Sequence, residues 1–183
     1  MSSPLWIGLY GDHTCEPLNL TKADVDIVEI SRTLANICRF GGRSRPFLSV
    51  AQHSRDVAIA VEAVAPRYAL AALLHDSAEA YPPGDLVTPI KKRMTIDGMP
   101  VARFEEKVLR SIFKHLDVEW PDDRGWTTIW EADHQRFLME CNGYLGRPFW
   151  TAVPEWDGRV PAPCILPDQA HREFMEHYER LRR

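Results

Sequence analysis

No apolar run in this 183-residue sequence approaches the ~18 residues needed to span a bilayer, which leaves no membrane-spanning helix to argue for. Cysteine is scarce. The four present are Cys15, Cys38, Cys141 and Cys164, none in a C-x-x-C pair, so a disulfide framework is not expected at this length. No basic-then-apolar leader opens the chain. These absences together predict a soluble cytoplasmic protein with reduced, buried thiols. Positive charge is not in excess either: 22 Lys and Arg against 26 Asp and Glu give a net charge of −4. Such a chain has no global attraction for nucleic-acid polymers or anionic membranes, so any phosphate site must be made locally. There is no internal repeat, no low-complexity tract and no alternating strand pattern.

What is present is a 45 % hydrophobic chain, enough for a core, with apolar residues at helical spacing. A short strand is predicted around residues 5–10. A first helix is predicted over 26–39 from Ile27, Ile30, Leu34 and Ile37, ended by Gly41-Gly42. A second is predicted over 49–64 with Ser49 as N-cap and Val50, His53, Val57, Val61 and Val64 on its core seam. A third is predicted over 67–81, apolar all round at its centre and stopped by Pro82-Pro83-Gly84. A short helix at 86–93 and a fifth at 101–116 follow, the latter with Val101, Phe104, Val108, Ile112 and Leu116 on one face. Thr128 and Glu131 form a candidate capping box for a sixth over 129–142, with Gly143 just past its end. Residues 143–167 hold five prolines and three glycines and read as a long loop, a lid, wrap or interface. An amphipathic helix over 168–183 closes the chain. The expectation is one all-α domain over 1–183, with six to seven helices and its core within 24–142.

Three predicted helices each place a metal-competent side chain inward. His53 interrupts the valine seam of the second; such a residue is either a hydrogen-bonded core histidine or a ligand. His75-Asp76 ends the apolar run of the third, where an unpaired buried carboxylate would cost several kcal/mol. Glu79, at spacings of four and three from that pair, shares its helix face. Asp133 lies in a seam of Trp130, Phe137, Glu140 and Cys141, with His134 as a rival ligand. Two imidazoles and two carboxylates suit one borderline transition ion (Mn, Fe, Co, Ni or Zn), whereas Mg prefers all-oxygen ligands.

The order His53, His75-Asp76, Asp133 resembles the H…HD…D signature of HD-domain phosphohydrolases. The surrounding words resemble that family too: Val50-Ala51-Gln52-His53-Ser54, Leu73-Leu74-His75-Asp76-Ser77-Ala78-Glu79-Ala80, Gly84-Asp85-Leu86-Val87-Thr88-Pro89-Ile90-Lys91, and Ala132-Asp133. Cys38-Arg39-Phe40 resembles the Arg-aromatic pair of the 5′-deoxynucleotidase branch. One spacing departs: Glu79 and Asp85 are six apart where five is expected in that branch.

The resemblance implies a single compact HD-domain bundle with a divalent transition metal on His53, His75, Asp76 and Asp133. It implies that Glu79 and Asp85 orient or deprotonate the attacking water, or hold further divalent ions on the phosphates. Arg39, with its planar fork, is implied as phosphate ligand, Lys91 as an added point charge and Phe40 as a stacking surface. Arg43 and Arg45 would extend the anionic pocket. The implied substrate is a small 2′-deoxynucleoside 5′-phosphate. Three arginines between 39 and 45 lean the expectation to a triphosphohydrolase acting on a dNTP such as dATP; the alternatives are a nucleotidase acting on a dNMP, or a nucleotide-sensing module without turnover. A homo-oligomer is also expected, with the 143–167 loop as a contact.

Overall fold

The computed structural model of the chain describes residues 7–9, 13–145 and 161–183. The fold is all-α. Among the described residues there are seven α-helices, and strands occur only as two-residue pieces. None of the helices there is long and apolar enough to cross a membrane.

The first strand, β1 (Ile7–Gly8), pairs antiparallel with β2 (Thr14–Cys15); the rest of the strand expected over 5–10 lies outside the described residues, apart from Leu9. Helix α1 (Ile27–Asn36) starts at Asp26, whose carboxylate accepts the Val28 N–H at 2.8 Å. Helix α2 (Val50–Val64) starts at Ser49, which accepts the Gln52 N–H at 3.1 Å, as the sequence predicts. Its buried face is Val50, His53, Val57 and Val61. Val64, expected on that seam, is 74 % exposed, because the helix ends there and Pro66 turns the chain away.

The helix expected over 67–81 is instead three pieces. A 3-10 turn, Pro66–Tyr68, leads into α3 (Ala69–Leu73), and a second 3-10 turn, Ser77–Ala80, follows a bend. The hydrogen bonds show the tightening: Leu74 N–H reaches both Leu70 and Ala71 carbonyls, then His75 binds Ala72 and Ser77 binds Leu74. The apolar centre is nevertheless buried as expected, with Ala69, Ala72, Leu73 and Leu74 sealed in the core.

The short helix α4 (Thr88–Lys91) is half the predicted length. A hairpin unmarked by any alternation follows, β3 (Thr95–Ile96) with β4 (Met99–Pro100), joined by Asp97 and Gly98 at positive φ; an Asp-Gly pair suits such a turn. Helix α5 (Val101–His115) buries all the face residues named above, with Leu116 just beyond its end.

Helix α6 (Asp123–Tyr144) begins earlier than predicted. Asp122 is its cap, accepting from Gly125 N–H at 2.7 Å and from the Tyr68 hydroxyl at 2.6 Å. The Thr128–Glu131 capping box does not form: Thr128 lies inside the helix and donates to the Arg124 carbonyl. Gly143 also lies inside it, at a site where an added Cβ would meet the Pro161 ring at 2.4 Å. Trp130, expected inward, is 61 % exposed; Ile129 takes the core position. Of the predicted loop, 146–160 lies outside the described residues. Helix α7 (Pro167–Leu181) packs Ala170, Phe174 and Tyr178 into the core against α1 and α2. All four thiols are free; Cys15 and Cys141 are buried, while Cys38 and Cys164 are only half-buried.

Candidate metal centre

His53 sits on the second turn of α2, sealed from solvent at 0 % exposure. Asp133 approaches from α6. Its Oδ1 is 2.9 Å from His53 Nε2 and 3.9 Å from His75 Nε2. Asp76 Oδ2 lies 3.3 Å from His75 Nε2 and 3.7 Å from His53 Nε2. Ligand atoms of His53, His75 and Asp133 all fall within 4.8 Å of one another. Donors about 2.0–2.2 Å from one ion sit roughly 3–3.5 Å from each other, close to the 2.9 and 3.9 Å seen from Asp133; Asp76, the fourth expected ligand, lies outside that group of three.

The bend after α3 explains how neighbours converge. Successive residues of a regular α-helix point about 100° apart and do not face a common partner. With the chain unwound at 74–76, His75 and Asp76 turn to the same spot. They do so from a bend rather than from a third helix, which corrects the sequence expectation. The following 3-10 turn sets Glu79 above Asp76, residues i and i+3 being nearly eclipsed there.

The orientation of both imidazoles is set from behind. His53 Nδ1 is 2.9 Å from Glu140 Oε1, and His75 Nδ1 is 2.8 Å from the Ala72 carbonyl. Each Nδ1 therefore donates, which leaves Nε2 as the nitrogen turned inward on both rings. Both Nε2 atoms are buried and neither has a hydrogen-bond partner. Two orphaned nitrogens beside two carboxylates are what a divalent cation would satisfy, so the residues present fit such an ion. Without one, burial and the nearby Arg39 oppose charge on His53, but Glu140 and Asp133 overcome them and push the imidazole up to about 9. Burial likewise resists charge on Asp133, yet the His53 contact holds its carboxyl well below the usual range. His134, the rival ligand, is exposed and stacks on Phe137 at 6.3 Å between ring centroids.

Arg39 lies at the edge of this cluster. The 37–50 segment is pinned at its base by Val50 N–H to Ile37 and Arg39 N–H to Leu48. Beyond it Phe40, Gly41 and Gly42 all take positive φ, a strained conformation only for Phe40. The Arg39 guanidinium is buried, donates from Nε to Glu140 Oε2 at 3.0 Å, and places Nη1 3.7 Å from Asp76. Burial opposes its charge, but Glu140 and then Asp76 raise its pKa further. The half-buried Phe40 packs at 5.9 Å from Phe137. Arg43 and Arg45 are exposed.

Glu79 and half-buried Asp85 add two further acids near Asp76. Burial, then Asp76 and Asp85, push Glu79 well above the usual carboxyl range; burial and Asp76 raise Asp85 as well. Lys91 is 2.6 Å from Glu105 and 3.8 Å from Glu79, so its charge is already shared between two acids. Sequence reasoning missed Glu140 and Glu105. Glu140 stood on the Asp133 seam seven residues on, two turns along one face, and that was the signal.

No protein-family model matches the chain. It is 37 % identical over 89 residues to the uncharacterized protein YfdR of Escherichia coli (strain K12), covering 49 % of this chain and 46 % of that protein. It is 36 % identical over 92 residues to an uncharacterized protein of Rhodobacter capsulatus, covering 47 % of this chain and 46 % of the relative. The match thus spans about half the length of each curated relative.

Proposed function

We propose that this chain is a divalent-metal-dependent phosphohydrolase of 2′-deoxynucleoside 5′-phosphates, of the HD-domain kind, with a dNTP as its first substrate class. One observation carries the reading: two buried imidazole Nε2 atoms without hydrogen-bond partners, each oriented from behind, gather around Asp133 with Asp76 close to both. A bound divalent ion supplies a Lewis acid that lowers the pKa of water and polarises a phosphoryl oxygen. His53, His75, Asp76 and Asp133 hold it. Arg39 offers its fork to the phosphate oxygens beside Asp76. Glu79 and Asp85 orient the attacking water or take its proton, or hold a further cation on the phosphates. Lys91 steadies Glu79 from α4. Phe40, at the rim beside Arg39, gives a flat surface for sugar or base.

A second reading, removal of the phosphate of a dNMP, has its own support. Of the three arginines between 39 and 45, only Arg39 lies against the ligand set, the other two being exposed. The proposal carries with it a cytoplasmic homo-oligomer acting on small molecules rather than nucleic-acid polymers. Product analysis over dNMPs and dNTPs with Mn, Co or Zn tests it. Tripolyphosphate released from dATP is the expected result, and free phosphate from a dNMP selects the second reading. Tight nucleotide binding by metal-loaded protein with no product would leave a sensing module instead.

A further inference from the structure

We infer that Glu140 is a positioning residue that ties one imidazole of the ligand set and the site's arginine to a single carboxylate, coupling cation and anion occupancy. The inference rests on the metal reading above. Glu140 is 1 % exposed. Its Oε1 accepts from His53 Nδ1 at 2.9 Å and its Oε2 from Arg39 Nε at 3.0 Å. The far ends of both partners face the site: His53 Nε2 toward Asp133 and Arg39 Nη1 toward Asp76. One carboxylate therefore orients both a cation-binding nitrogen and an anion-binding fork.

Glu140 is itself held. Arg136, one turn earlier on α6, brings Nε to 3.7 Å from Oε1 and pairs with Asp56 of α2. Asp56 in turn meets Arg55, which pairs with Glu173 of α7. This ionic chain ties α2, α6 and α7 together behind the site. Stability alone does not explain it, since well-packed apolar side chains of similar volume generally serve a core as well or better. A carboxylate that gives one oxygen to each of two working groups has a geometric task. A cation that fixes the His53 ring fixes Glu140 against it, and Glu140 so fixed holds Arg39 at the angle an anion requires. Coupling of this kind is reciprocal.

The test uses the whole chain, cobalt(II) and inorganic phosphate. Glu140→Gln keeps the shape and an acceptor for His53, but removes the charge that Arg39 needs. Expected are a cobalt affinity lower by roughly 10–100-fold, an altered visible spectrum of bound cobalt, and phosphate binding weakened about tenfold even without cobalt. Glu140→Asp keeps the charge but is too short to reach both partners, and should lose one affinity more than the other. A folded Glu140→Gln variant with wild-type cobalt affinity, spectrum and phosphate affinity overturns the inference. So does loss of only one affinity in that variant, for Glu140 would then serve one group alone. If both variants lose their helical circular dichroism, Glu140 holds the fold rather than the site and the inference falls. Wild-type protein that binds no cobalt removes the metal reading itself, and this inference with it.

Discussion

The two walls of the candidate site handle buried charge in opposite ways. On the α2–α6 wall, Glu140 faces His53, Arg39 and Arg136, and although burial resists its charge, these partners hold its carboxyl below the usual range. On the wall made by 76–91 and α5, Glu79, Asp85 and Glu105 are all raised by burial, with Lys91 set among them. Glu79 Oε2 and Glu105 Oε1 are buried there without hydrogen-bond partners. One wall sets its buried acid among cations. The other gathers three buried or half-buried acids around one lysine, a pattern that perturbed groups at functional sites often show.

Three measurements break or sharpen that contrast. The largest effect is expected from His75→Ala or Asp76→Ala, which remove groups shared by both walls. Metal content by elemental analysis should fall from stoichiometric to background, and turnover with it; a variant that keeps its metal would end the four-ligand assignment. Next is Glu79→Gln on the acidic wall. Removing the cost of burying this carboxyl, and then its repulsion by Asp76 and Asp85, should raise the melting temperature of chelator-treated protein by a few degrees, about 1 kcal/mol, while turnover falls and the primary metal stays. A lower melting temperature would show that the ionised Glu79 is compensated after all.

The smallest effect lies away from both walls, where α7 meets α1. Ser31 Oγ donates to the Val28 carbonyl, so it accepts from His171 Nδ1 at 2.8 Å; His171 Nε2 then accepts from Arg32 at 3.4 Å. Burial and then Arg32 push this imidazole below its usual pKa. The unfolded chain, with histidine near about 6.5, takes up its proton first as pH falls. Stability should therefore be full above that value and decline as pH drops from it toward the lowered folded pKa. Thermal unfolding at pH 7 and 5 should show a smaller acid loss for His171→Gln than for wild type; equal losses would place the acid sensitivity elsewhere.

Helix positions were largely readable because amphipathic spacing and caps are local signals. Ser49 and the face of α2 as far as Val61, and the whole buried face of α5, match their expected places. The errors fall where a local rule misleads or a distant partner overrides it. Asp122 caps α6 in place of Thr128 through the Gly125 N–H, a local signal passed over, and Tyr68, 54 residues away, adds a second bond to it. Gly143 continues α6 with Pro161 lying across it.

By itself the sequence determined which histidines, acids and arginine were worth placing together, and roughly which face of each segment points inward. His53, His75 and Asp133 do meet, Asp76 stands close to both imidazoles, and Arg39 lies beside them. Only the tertiary structure decided the bend that lets His75 and Asp76 face one point, and only it separated Arg39 from the exposed Arg43 and Arg45. It also decided the place of Glu140, whose bond to His53 crosses 87 residues of chain. Such contacts depend on how helices dock. Local periodicity says which way a side chain points but not what waits on the neighbouring helix.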